Sequence, residues 1–135
     1  MGNELTYDFG MPVTLHYTIA NIAGTATTAL KFANGGLGLK VPTGYSFHPL
    51  LISAESNAAV QGGTATFKAT ANTTVSINGP SAALTTAAQV AVGAQRVGAE
   101  PIGAGKIVGV SVVTAGFTPT TADVDAILTG VLLPA

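Results

Sequence analysis

Val13-Thr14-Leu15-His16-Tyr17-Thr18-Ile19 alternates without a break, with Val, Leu, Tyr and Ile at the odd positions and Thr, His and Thr at the even ones. Successive side chains of an extended chain point to opposite faces. The pattern therefore predicts a β-strand with one face on a core and the other on water or a partner. A helix needs apolar residues three and four apart, and no long stretch of the chain has that spacing. The chain is instead rich in Thr and Val, with 17 Gly and 7 Pro among 135 residues, the composition of many short strands joined by turns.

Outward from residues 13–19, the pattern places further strands. Residues 25–32 and 37–41 flank Asn34-Gly35-Gly36, which tolerates positive φ and predicts a hairpin between them. Residues 45–56 form a long extended segment in which Pro49 lacks a ladder donor, so the strand is bent there or lies at an edge. Residues 64–71 and 73–78 follow, with Asn78-Gly79-Pro80 as a turn. The Ala-rich stretch from Ser81 to Val92 is open between strand and helical turn. Residues 106–114 are the clearest buried strand, with Val108, Val110 and Val112 on one side and Ile107 and Val113 on the other. Residues 116–121 read as a polar connection through Pro119, and 123–133 as the last strand. About eight strands at roughly ten-residue spacing predict an all-β fold: an antiparallel β-sandwich, jelly-roll-like. The expected organisation is one sandwich domain over 13–135, preceded by residues 1–12 as an extended N-terminal arm or an edge strand, two readings in balance.

Composition narrows the function. Only 8% of residues are charged, against about 25% in an ordinary soluble domain, while 47% are hydrophobic, close to normal. The core is thus ordinary and the surface unusual, covered by Thr, Ser, Asn, Ala and Gly. Such a surface costs little to desolvate, and a net charge of −1 does little to keep copies apart. Both features suit a protein that assembles. A pI near 6.0 and five scattered basic residues provide no stripe for phosphates, so nucleic acid is not an expected partner. No run of about 18 apolar residues occurs, so no membrane partner is expected. Glu4 and Asp8 replace a basic, then apolar, secretory leader, which predicts synthesis in the cytosol. Met1-Gly2-Asn3-Glu4-Leu5-Thr6 fits the loose myristoylation template, on two positions only. With no cysteine, neither a disulfide framework nor a thiolate metal site is available.

Motifs for chemistry are sparse. His16 and His48 are the only imidazoles, with no triad or cluster context, and no Gly-x-Ser-x-Gly elbow is present. Asp123 and Asp125 would share a face of a strand and could offer two oxygens to a hard cation. The simpler alternative has Asp123 capping a turn and Asp125 facing solvent or a neighbouring chain. The glycine-rich stretches at 35–40 and 103–106 match neither a Walker loop nor a dinucleotide fingerprint and read as turns. Asn72-Thr73-Thr74 fits a glycosylation acceptor, which means little without a secretory leader. No catalytic residue, metal or cofactor is expected, and the chain reads as a non-enzyme. Candidate interface residues are Leu5, Tyr7, Phe9 and Met11, which alternate along the arm, and Arg96 and Glu100, which flank Gly98. An arm of about ten residues reaches roughly 30 Å when extended, enough to cross onto a neighbour.

Two stretches carry a resemblance. One runs through Ala104-Gly105-Lys106-Ile107-Val108-Gly109-Val110-Ser111-Val112 and Phe117-Thr118-Pro119-Thr120-Thr121-Ala122-Asp123-Val124-Asp125 into an apolar last strand. The other is Val41-Pro42-Thr43-Gly44-Tyr45. Together they resemble the small jelly-roll head decoration, or cement, proteins of tailed bacteriophages. The resemblance implies a homotrimer on the outer capsid surface that bridges subunits of the major capsid protein and stabilises the shell, with the virion as its location. A second class of function is the trimeric jelly-roll head of a surface fibre or spore-coat protein that binds a receptor or glycan. Such heads normally follow a stalk, and no stalk pattern occurs in these residues. A hydrolase or lyase on a cupin-like barrel would need a histidine cluster, which is lacking.

Overall fold

The computed structural model describes residues 10–72, 76–95 and 97–135. Among them there are nine strands and no helix. They are β1 (Met11–Ile19), β2 (Ala26–Ala29), β3 (Leu39–Lys40), β4 (Tyr45–Ser56), β5 (Gly62–Ala71), β6 (Ser76–Leu84), β7 (Val90–Ala94), β8 (Ile107–Thr118) and β9 (Val124–Pro134). One sheet has the order β1-β9-β4-β7, and the other β2-β8-β5-β6, with β3 also on β8. Every pairing is antiparallel.

Leaving aside two-residue β3, the pairs β1–β9, β2–β8, β4–β7 and β5–β6 match first strand with last, second with last but one, and so inward. That is one long hairpin. Rolled up, it adds the contacts β4–β9 and β5–β8 and becomes the jelly roll expected from the strand pattern.

Alternation builds the core. Leu15 and Tyr17 of β1, Phe47, Ile52 and Ala54 of β4, Phe67 of β5, Val108, Val110 and Val112 of β8, and Ala126 and Leu128 of β9 are all buried between the sheets. The Tyr17 hydroxyl donates to the Val108 carbonyl, tying one sheet to the other, and its ring lies 4.8 Å from that of Phe32. Burial pushes the Tyr17 phenol above its ordinary value of 10.0.

Several sequence expectations need correction. The Asn34-Gly35-Gly36 turn forms, with Phe32 N–H donating to the Gly36 carbonyl at 2.7 Å and Gly35 at φ 89°. No hairpin results, because β2 and β3 both pair with β8, end to end along one edge. The cause is a corner just upstream. Leu30 N–H bonds to Val110 in one sheet, while Lys31 exchanges bonds of 2.7 and 3.1 Å with Thr18 in the other. Asn78-Gly79-Pro80 is not a turn between strands but lies inside β6. There the register against β5 jumps from Lys68–Ser81 to Thr70–Ser76. β6 is an edge strand, where a proline's missing donor is tolerated.

The Ala-rich stretch is strand on both sides of a tight turn, with Thr85 and Ala88 exchanging bonds of 3.0 and 3.1 Å. Residues 116–118 are not a polar connection either. They extend β8, and Phe117 is fully buried. Pro49 does bend its strand, with the register against β9 shifting between Pro49 and Leu51, although β4 is interior rather than an edge. β1 begins at Met11, so Met11 and Pro12 belong to the edge strand of the four-stranded sheet.

Gly93 shows how closely β7 sits on β6. A Cβ there would fall on the Ser81 carbonyl. Gly93→Ala is expected to cost about 1–3 kcal/mol in urea unfolding, since the backbones must separate. Tyr17→Phe should cost roughly 1–2 kcal/mol, the loss of one buried hydrogen bond. The phenol's raised pKa stabilises the fold below the ordinary tyrosine range, and that contribution is lost as pH rises past it. Unfolding measured against pH should therefore show a steeper alkaline loss in the wild type than in Tyr17→Phe.

Candidate functional site

The outward residues of the four-stranded sheet form the most distinctive surface. Strand alternation places His16 on β1, Asp125 and Ile127 on β9, Ser53 and Glu55 on β4, and Val90 and Val92 on β7 on that side. Register sets them in rows. Glu55 faces Asp125 on one side and Val90 on the other, and the next row runs His16, Ile127, Ser53, Val92. The rows line a shallow groove of about 240 Å³ bordered by His16, Ser53, Glu55, Val90, Asp125 and Ile127. Val90 and Val92 are 63% and 65% exposed, and Ile127 is 38% exposed.

Two carboxylates directly opposite on neighbouring strands repel. Glu55 and Asp125 are such a pair, relieved on one side by His16 Nε2, which lies 3.6 Å from Asp125 Oδ1 and carries charge only when protonated. The Asp123 carboxylate ties its connection to the β1–β2 connection rather than to its own turn. Its Oδ1 accepts from Asn21 N–H at 3.0 Å, its N–H donates to Asn57 Oδ1 at 2.9 Å, and its carbonyl accepts from Asn57 N–H at 2.9 Å. Asp123 and Asp125 therefore do not converge, and no group of three His, Asp or Glu comes together among the described residues.

The other sequence candidates fall elsewhere. Met11 opens β1, opposite Leu132 and 56% exposed. Glu100 is exposed, and its N–H donates to the Asn78 carbonyl at 2.6 Å, which binds the β7–β8 connection to β6. Leu5, Tyr7, Phe9 and Arg96 lie outside the described residues. His48 Nε2 is 2.9 Å from Ser46 Oγ within β4. Asn72 of the glycosylation-like triplet has its Oδ1 occupied by Ile107 N–H at 3.1 Å. The two histidines thus lie on separate partners, and among the described residues neither touches a serine–acid pair of the kind a nucleophile needs.

The Glu55–Asp125 juxtaposition and the exposed valines of β7 were missed in the sequence. The first is a long-range register, which no local pattern encodes. Val90 and Val92 do alternate, but the alanines around them obscure the period.

No family model and no curated protein matches the chain. Among solved structures, the fold is similar to that of a chain in the acidic stable capsid structure of Helicobacter pylori bacteriophage KHP30. The TM-score is 0.50 and the identity 12%, over 93% of this chain and 90% of that one. The likeness is one of fold, spanning the jelly roll nearly end to end.

Asp123→Ala is expected to remove the Asn21 anchorage, keep the backbone bonds to Asn57, and cost about 1 kcal/mol. Added Ca²⁺ should leave the melting temperature of the wild type unchanged in a calorimetric scan.

Proposed function

We propose that the chain is a structural protein of a phage virion: a capsid decoration or cement protein that works by association and not by catalysis. The observation that carries this reading is the outer face of the four-stranded sheet. It presents exposed Val90, Val92 and Ile127 beside Glu55, Asp125 and His16. Exposed apolar residues gathered on one face of a small domain are what a docking surface requires. The low overall charge supports the same reading, because little hydration is lost when such a surface is covered. So does the fold likeness to a chain of a phage capsid structure.

In this reading the chain forms a homotrimer that sits on the outside of the shell and bridges neighbouring subunits of the major capsid protein. Met11, with Leu5, Tyr7 and Phe9 before it, supplies contacts along the alternating N-terminal segment. Binding only the assembled shell stabilises it by mass action.

Purified chain mixed with assembled capsids of its phage should sediment with the shells and raise their melting temperature. Free capsid subunits should not retain it. Light scattering should return three times the chain mass. Failure to sediment with shells would overturn the decoration reading.

A further inference from the structure

The outer edge of β1 is bare along part of its length among the described residues. Thr18 exchanges backbone bonds with Lys31 on the side away from β9. Backbone groups alternate sides along a strand, so those of Pro12, Thr14 and His16 point to that same outer side. The odd-numbered residues of β1 point to β9 instead. Pro12 has no N–H to offer. The N–H and C=O groups of Thr14 and His16 therefore meet no described strand. Edge strands are commonly blunted by charged residues, lysine above all, or covered by a loop. β1 contains no Lys, Arg, Asp or Glu.

The rim of the core is open along the same stretch. At one end of the edge Phe32 lies against the fully buried Tyr17. Toward the other end Val13 is half-buried and Met11 is 56% exposed, although both share the inward parity of Leu15 and Tyr17. A strand laid on this edge would bond Thr14 and His16. With apolar residues at alternate positions it would also cover Met11 and Val13.

The segment before β1 has that pattern, since Leu5, Tyr7 and Phe9 alternate with Thr6 and Asp8. The window from Pro12 to His16 spans roughly 17 Å, which five extended residues cover. Folding back onto its own β1 needs a tight reversal, and β1 does not support one. A tight hairpin is closed by backbone bonds between the residues that flank its loop. Met11 directs its backbone groups to β9, and Pro12, the first residue that faces outward, lacks the N–H. Gly10 itself still lies on β9, where a Cβ would meet the Leu132 carbonyl and the Leu133 side chain. The edge within reach is then that of another copy.

We infer that residues 5–9 of one copy add as a strand to the open edge of β1 in a second copy. This inference rests on the self-association in the proposed function and names its contact; it does not depend on shell binding. Because segment and edge differ, the contact is heterologous, and each copy gives one strand and accepts one. Three such contacts closed into a ring make the homotrimer of that reading.

Amide exchange of the ¹⁵N-labelled chain, read by NMR above and below the concentration at which it associates, tests the contact. The Thr14 and His16 amides should exchange at least about tenfold more slowly in the associated chain than in the monomer. Thr14→Pro removes an outward N–H and leaves the bonds to β9 in place. It should weaken self-association about tenfold or more in sedimentation velocity, and Thr14→Ala should leave it unchanged. Tyr7→Asp lies before β1 and should weaken association as far, with the circular dichroism of the wild type. Equal protection in the monomer would overturn the exchange, because the chain's own segment would then cover the edge. Rapid exchange in the associated chain, or unchanged association in both Thr14→Pro and Tyr7→Asp, would overturn it too. So would protection that arises only on assembled capsids, which would put a shell subunit on the edge. A chain that stays monomeric yet sediments with capsids would overturn the contact and leave shell binding intact. A chain that associates in this way but ignores capsids would support it and remove the decoration reading instead.

Discussion

β9 is held on both edges, and the rest of the molecule follows from its register. Against β1 the pairing runs from Met11–Leu132 to Ile19–Val124, and against β4 from Tyr45–Pro134 to Ser56–Val124. That register sends Val124, Ala126, Leu128 and Leu132 inward and Asp125 and Ile127 outward. Gly130 takes the inward position beside the Phe47 ring, in space a Cβ would need. A slip of one residue would bury Asp125 and expose Leu128. The core and the acidic outer row are thus two consequences of a single pairing. Each sheet closes the other's apolar face, with Tyr17 bonded across to Val108.

Much of this was legible in local pattern. Residues 13–19, 45–56, 106–114 and 123–133 alternate or run apolar clearly enough to be read as strands, and those strands supply half of the buried hydrophobic residues described. What failed was the inference from turn chemistry to partner choice. Asn34-Gly35-Gly36 does turn the chain, but Leu30 and Lys31 have already committed it to opposite sheets, so the strands on either side meet β8 rather than each other. Asn78-Gly79-Pro80 carries turn residues that an edge strand accommodates as an irregularity. Phe117 lies between glycine and proline signals that suggested a connection, yet its ring fills the core. The candidate surface was least legible of all. His16 could be assigned to the outer face of its strand, but its neighbours Asp125, Glu55 and Val90 come from three other strands. Only the rolled hairpin brings them together.

The sparse charge acquires meaning once it is placed. Spread evenly, so few ions would keep copies weakly apart and give no preferred orientation. In the fold, three of them share one row across the outside of the four-stranded sheet, which runs Lys31, Thr18, Asp125, Glu55. A jelly roll by itself serves many functions. The residues on its outer faces are what a function must be read from.

Hydroxyl-radical footprinting of the chain, free and bound to assembled capsids of its phage, tests the docking face most directly. The account predicts loss of labelling at Val90, Val92 and Ile127 on the outside of the four-stranded sheet. Labelling unchanged there and lost only elsewhere would contradict it.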